Sequence, residues 1–377
     1  MSTMMAEKFS KGLEDVVAGT TSICTINPEN ENLLYRGYSA VELSEKVNYE
    51  EVVHLLLEGR LPKKRELKRI SRQLVQERKI PKDLIKVLKK IPQTASPMDV
   101  LRTSVSYMGA LEPNKQYSIE ETKQIAYSLI AKLPFALMTW YHMSKNQPVP
   151  KVSKKISHAG RFLQLVTGSE PDPFEEKVIN SSFVLYAEHE FNASTFCARV
   201  TASTLSDIYS AITSGICALK GPLHGGANEA AMGLILKFLN PSDAERGIND
   251  ILNRKEKIMG FGHRVYKRGD GRSHVMKKLS RELAEKKGNK KCFEIAEKIE
   301  QVVKEKKGLF PNADFYSAVA YYLLGIPISL YTPIFVLSRT AGWSAHIIEQ
   351  LSDNRLIRPR AEYNGPPQRE VPPIERR

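Results

Sequence analysis

The stretch Phe315–Leu337, "FYSAVAYYLLGIPISLYTPIFVL", carries no formally charged side chain over 23 residues, and its reading decides the fold. Length alone would let it cross a bilayer as one helix. Gly325, Pro327 and Pro333 interrupt it, however, and Ser, Thr and Tyr dilute it. Proline removes a backbone donor and clashes with the preceding turn, and glycine after an apolar run is a common helix stop. The stretch therefore predicts a helix ending at Leu324, closed by Gly325, and a second helix starting near Pro333. Helices that are apolar all round belong in the interior of a large helical protein. The expectation is an all-α fold with no membrane segment.

Outward from this stretch the helical pattern continues. In "NYEEVVHLLLEGRLP" Asn48 and Glu51 have the spacing of a capping box, Gly59 follows the apolar run and Pro62 prevents continuation. "SIEETKQIAYSLIAKLPFALMTWYHMS" and "ISHAGRFLQLVTG" place apolar residues three and four apart. Strand-like alternation is scarce, and its best case is "TTSICTIN" near the N-terminus. There is no repeat of fixed period and no long Gly/Ser linker, so a second domain would be woven in without a flexible hinge. The Pro-rich polar tail "RPRAEYNGPPQREVPPIERR" cannot bury enough apolar surface to fold alone and is expected to be disordered or to lie across another surface, such as a partner subunit.

The 377 residues are 42% hydrophobic and 26% charged, normal for a globular protein that needs neither metal nor disulfide to support its core. Cys24, Cys197, Cys217 and Cys292 are scattered with no CxxC pair. That argues against a zinc ribbon or a disulfide framework and suits a reducing cytoplasm. The start "MSTMMAEKFSKGLED" has no apolar core, so no signal peptide is expected. The net charge of +14 gathers in "KKRELKR" (Lys63–Arg69) and "KKLSRELAEKKGNKK" (Lys277–Lys291). Interleaved Glu and Leu make these solvated helix faces, or a field that attracts an anionic substrate. Without interleaved aromatics or a nucleic-acid module, no nucleic-acid partner is expected.

Several catalytic patterns fail on inspection. "HEFNA" at His189 has Ala193 where a zincin needs its second histidine, and "GFGHRV" at Gly260 lacks the third glycine of a dinucleotide loop. "GWSAH" at Gly342 lacks the closing glycine of a nucleophile elbow, and no phosphate loop of the GxxxxGK[ST] type occurs. No metal-ligand cluster is visible either.

Three loops remain, each with a polar residue at the border of a helix. In "LKGPLHGGANEAAMGLILKFL", Pro222, Gly225 and Gly226 deny helix before about Ala227, and a helix is predicted over Asn228–Leu239. His224 thus precedes a helix N-terminus, whose dipole disfavours imidazolium. It reads as a neutral hydrogen-bond donor beside glycines that let a ligand approach, or as a packed capping residue. In "KIMGFGHRVYKRGDGR", Gly260 and Gly262 flank a turn before His263, amid Lys257, Arg264, Lys267, Arg268 and Arg272. This is either a loop for phosphates and carboxylates or an exposed basic loop. In "FPNADFYSAVAYYLLG", Asn312 can cap and Asp314 falls in the first helical turn. Asp314 is either a helix-start acid or a carboxylate base beside apolar surface, where burial raises a pKa and the dipole opposes the rise.

Taken in order, "GPLHGGANEA", "MGFGHRVYK" and "PNADFYSAV" closely resemble the citrate synthase family. So do "LLYRGYSAVELSEKVNYEEVVHLLLEGRLP", "AEHEFNAST", "SRTAGWSAHIIEQ" and "RLIRPR". The resemblance runs from about Gly12 to Tyr363 and is to the short archaeal and bacterial form. One departure is "GDGR" (269–272), where relatives more often carry Asp-Pro-Arg; the change is read as relaxing a turn while leaving Arg272 in role.

The resemblance implies condensation of acetyl-CoA with oxaloacetate and hydrolysis of the citryl-CoA formed. Asp314 would take a proton from the acetyl methyl group, His224 would donate to the thioester oxygen, and His263 would hydrogen-bond the oxaloacetate carbonyl. His189, Arg272 and Arg339 would hold the substrate carboxylates, and Arg358 would act from the other subunit of a homodimer. The chemistry wants these types: a thioester α-proton yields to a lone carboxylate only if the enolate oxygen is stabilised, and arginine's planar fork matches carboxylates. Lys255, Lys257, Arg264 and Lys267 are candidates for the anionic end of coenzyme A, a co-substrate and not a tightly bound cofactor. By the same resemblance, residues 1–221 and 332–377 form a large, dimer-forming domain, and residues 222–331 a small domain that closes over the site. The Pro-rich tail would then lie on the partner. The motifs do not separate acetyl-CoA from propionyl-CoA, so 2-methylcitrate synthase, or a bifunctional enzyme, stays open.

Overall fold

The computed structural model describes residues 10–27, 32–112, 116–263, 266 and 269–377. Among them are three short strands, β1 (Cys24–Asn27), β2 (Asn32–Tyr35) and β3 (Tyr38–Ser39), and sixteen α-helices. The helices are α1 (Ala40–Lys46), α2 (Tyr49–Glu58), α3 (Lys64–Gln76), α4 (Lys82–Leu88), α5 (Pro97–Ala110), α6 (Ile119–Ser144), α7 (His158–Thr167) and α8 (Pro173–Tyr186). They continue as α9 (Ala193–Ser203), α10 (Ile208–Leu219), α11 (Ala227–Ile235), α12 (Pro241–Asn253), α13 (Gly271–Lys286), α14 (Lys291–Lys307), α15 (Ala313–Leu323) and α16 (Tyr331–Ser352). The fold is all-α, as expected. No helix among the described residues is long and apolar enough to cross a membrane.

The uncharged stretch is two helices. Helix α15 ends at Leu323, Gly325 takes φ 73° just beyond it, and a 3-10 turn over Ile328–Leu330 leads into α16. Pro333 lies in the first turn of α16, where its missing N–H is not needed. Helix α16 is buried on almost every side, packed against α2, α6, α8, α9 and α10. It forms the axis of the core and carries Arg339 into it.

The local stop and start signals work as chemistry predicts. Glu51 Oε1 accepts the Asn48 N–H at 3.0 Å, and Gly59, at φ 82°, closes α2 with a bond from its N–H to Leu55 O. Ser118 and Glu121 cap α6 reciprocally, and Gly168 ends α7 at φ 82°.

Two expectations need correction. The helix predicted over Asn228–Leu239 ends at Ile235, with Leu236 as its cap, and α12 starts at Pro241. The residue before a proline is driven out of the helical region. Asn240 is extended (φ −160°, ψ 171°) and accepts the Asp243 N–H to cap α12, so α11 must end first. The strand reading of "TTSICTIN" located β1 but missed its partners. β1, β2 and β3 form an antiparallel sheet in that order, with Cys24 opposite Tyr35 and Leu34 opposite Ser39. Arg36 and Gly37 turn the second hairpin with both φ positive, 48° and 88°, the geometry of a two-residue primed turn. The sheet anchors the site from behind: the buried Tyr35 hydroxyl lies within hydrogen-bonding distance of Leu185 O and Glu188 O, at 3.2 and 3.0 Å.

Candidate active site

Asp314 sits in the first turn of α15, where the Asn312 side chain caps the helix by accepting the Asp314 N–H at 3.1 Å. The same asparagine ties this turn to the loop carrying His263. Its N–H donates to Gly260 O at 2.9 Å, and its side-chain amide donates to Gly262 O at 3.1 Å. The Gly262 N–H donates to Phe310 O at 2.8 Å. Gly260 must be glycine on two counts: φ is 88°, and an added Cβ would press on the Phe315 ring. The side chain of Asp314 is only part-buried, yet desolvation raises its pKa above the usual carboxylate value. The Tyr186 hydroxyl, which donates to Oδ1 at 2.7 Å, and the Arg272 charge act against that rise.

Burial and nearby arginines hold the three histidines in their neutral form. His224 lies in the turn ahead of α11, with its Nε2 3.3 Å from the Ser194 backbone nitrogen and 2.9 Å from the Ser194 hydroxyl. Burial and the nearby Arg339 charge hold its pKa down at about 4. His263 accepts the Tyr266 N–H at Nδ1 (3.2 Å), so its proton is on Nε2. Burial, with Arg272, brings its pKa to about 4 as well. His189 follows α8 in a loop held by the Asn192 amide, which donates to His189 O at 3.2 Å. The ring centroids of His189 and His263 are 5.1 Å apart. Burial and the Arg272 charge keep His189 well below its usual pKa, and its buried Nε2 has no hydrogen-bond partner among the described residues.

Two arginines complete the cluster. Arg339 is buried, donates from Nε to Tyr186 O at 2.8 Å and lies 4.7 Å from the Phe335 ring centre. Its buried Nη1 has no partner among the described residues. Arg272 meets Asp270 through Nε (2.9 Å) and Nη2 (2.8 Å), so two of its three nitrogens are engaged within the protein. Asp270 also caps α13 and accepts the Ala313 N–H at 3.0 Å, joining the arginine to the start of α15. Gly271 is the first residue of α13 and does not take positive φ. The departure from Asp-Pro-Arg therefore lies at a first helical position, where proline also fits. Contrary to the expectation of a relaxed turn, the glycine stands in a helix start.

The structure thus brings His189, His224, His263, Arg272, Asp314 and Arg339 into one cluster. Arg358 is exposed in the C-terminal tail. Lys255 and Lys257 are exposed in the loop between α12 and His263, while Arg264 and Lys267 lie outside the described residues.

The family model described as "Citrate synthase, C-terminal domain" matches residues 12–360. The chain belongs to the citrate synthase family. A Bacillus subtilis protein named citrate/2-methylcitrate synthase is 44% identical over 367 residues, covering 96% of this chain and 98% of its own. A 2-methylcitrate synthase from Shewanella oneidensis is 45% identical, with 97% of each chain covered. The citrate synthase of Thermoplasma acidophilum, solved in a ternary complex with carboxymethyl coenzyme A and oxaloacetate, matches with a TM-score of 0.92. It is 37% identical, covering 99% of this chain and 100% of its own. In this citrate synthase family member, sequence reasoning missed Tyr186, Ser194, Asp270 and Phe335. Asp270, two residues before Arg272, was findable as a cap with an adjacent cation. Tyr186 lies 128 residues from Asp314 and left no local signal.

Proposed function

We propose that the chain condenses acetyl-CoA with oxaloacetate and hydrolyses the resulting thioester to citrate and CoA. One observation carries this reading: a part-buried carboxylate with a raised pKa shares a cluster with two neutral histidine donors and a buried arginine that still has a donor to give. Asp314 removes a proton from the acetyl methyl carbon, and a ring N–H of neutral His224 supports the thioester oxygen as it gains enolate character. The new carbon bond forms at the oxaloacetate carbonyl, whose oxygen is supported by His263 through Nε2–H. His189 Nε2, Arg339 Nη1 and the remaining edge of Arg272 serve the substrate carboxylates. Water then cleaves the thioester. The CoA thioester is a co-substrate, and none of these steps calls for a tightly bound cofactor.

A small domain over 222–331 is part of this proposal, supported by its first boundary falling in the non-helical turn at 221–226, while its second falls at the start of α16, just after the break between α15 and α16. So is a homodimer in which Arg358 enters the partner's site and the tail crosses to it. Support comes from the start of the tail, where Asn354 and Ile357 are tied to Ser203 and Arg358 then points outward, exposed. Lys255 and Lys257 remain candidates for the CoA phosphates, and a cytoplasmic location fits the reading.

A second reading, 2-methylcitrate synthesis from propionyl-CoA, is favoured by the Shewanella relative. Free-thiol release, measured with each acyl-CoA and with and without oxaloacetate, separates the two. Oxaloacetate-dependent release, faster with acetyl-CoA, is expected. A clear preference for propionyl-CoA moves the assignment to the second reading, and no release from either overturns both.

A further inference from the structure

Tyr186 closes α8 at the back of the site with only 2% of its surface exposed. It is bonded at both ends. Its hydroxyl donates to Asp314 Oδ1 at 2.7 Å, and its carbonyl accepts from Arg339 Nε at 2.8 Å. Its ring packs edge-on against Phe335 at 4.8 Å, and Phe335 in turn contacts the His224 ring at 6.1 Å. One residue therefore touches the proposed base and a proposed carboxylate-binding arginine, and reaches the proposed enolate donor through a single ring.

We propose that Tyr186 is a positioning residue for proton abstraction: its hydroxyl engages Oδ1 of Asp314 from the buried side, turning Oδ2 toward the substrate carbon. A phenol has one proton to give, and a carboxylate oxygen that accepts it is fixed in plane and direction. Among the described residues, the other ionisable groups that interact with Asp314 include Arg272 and Asp270 at the start of α13, Arg339 on α16, and Tyr321 further along α15, with the neutral histidines of the cluster beyond them. The Tyr186 hydroxyl differs from these in donating a hydrogen bond to Asp314 Oδ1, so it fixes the direction of the carboxylate. The bond favours the ionised carboxylate, so losing it raises the pH at which the base becomes available.

The inference rests on the condensation reading, and the test keeps the two apart. The kcat/KM for acetyl-CoA is measured against pH for the unsubstituted chain and for Tyr186→Phe, alongside oxaloacetate affinity. The acidic limb is expected to move up by about one pH unit, and the plateau to fall about tenfold. Oxaloacetate affinity is expected to change less than about twofold, because Arg339 is held by the backbone carbonyl, which the substitution keeps. Site-specific 3-fluorotyrosine at position 186, a stronger donor, is expected to move the limb down, and it carries the test alone if Tyr186→Phe does not fold. A uniform loss at every pH with the limb in place, or a limb unmoved in both variants, overturns the role. An unsubstituted chain that releases no thiol overturns the condensation reading itself, and this inference with it.

Discussion

The surroundings of Asp314 oppose its ionised form, and the Tyr186 hydroxyl and Arg272 charge favour it. Desolvation raises its pKa, so the fold destabilises the carboxylate relative to the unfolded chain. For an acid raised in this way, the stability contribution is present below the unfolded pKa and is lost as pH rises through the folded one. Asp314→Asn removes that opposition near neutrality. The variant is expected to lose turnover by about a thousandfold while still binding oxaloacetate, and to melt no lower than the parent at pH 7. Near-normal thiol release would remove Asp314 from the base role. This also shows what the sequence could convey. That His224 would be neutral was legible from its place before a helix start. The cause was not: burial and Arg339, from a helix more than a hundred residues later, hold the proton off. Caps and glycines are written locally, whereas fields and burial arise from distant partners.

At the scale of elements, helix α16 explains the glycine that resembled part of a nucleophile elbow. A Cβ on Gly342 would overlap the Glu188 carboxylate and the Ala187 carbonyl, the segment that leads into His189. The glycine lets a core helix press directly on the backbone that presents the histidine. Gly342→Ala is expected to destabilise the fold by about 3 kcal/mol, since backbone atoms cannot step aside, with a lower melting temperature as the readout. Gly233→Ala on α11, where nothing lies within 4 Å of the added Cβ, is the control and is expected to be neutral or slightly stabilising. Helices announced by capping boxes and terminal glycines were readable because each signal spans a few residues. The hairpin of β2 and β3 escaped because its turn begins with Arg36, a residue seldom found at positive φ. The overlong reading of α11 ignored the force of Asn240-Pro241.

At the scale of the molecule, the proposed dimer makes one site depend on two chains. Arg358→Ala is expected to weaken oxaloacetate binding by about tenfold or more, as for loss of one charge-assisted contact. Mixed dimers of Arg358→Ala with Asp314→Asn should recover part of the activity, because one of the two sites then has both an intact base and an intact arginine. Steady-state thiol release after co-expression measures it. If no mixed dimer is active, Arg358 does not act across the interface. The order of the sequence blocks was enough to foresee a helical fold, and the structure gathers the proposed site residues into one cluster; whether a second chain completes it is not written in one sequence.

The bonds that join Gly260, Gly262, Phe310 and Asn312 have one more consequence. They close off the excursion through α13 and α14, so the distance between His263 and Asp314 is set at its base and not along its length. The far end of that excursion is the turn after Lys287, where Gly288 has φ 63° and open space around it. It is a place where evolution, or an engineer, could lengthen the chain or graft a module while leaving that distance as it is.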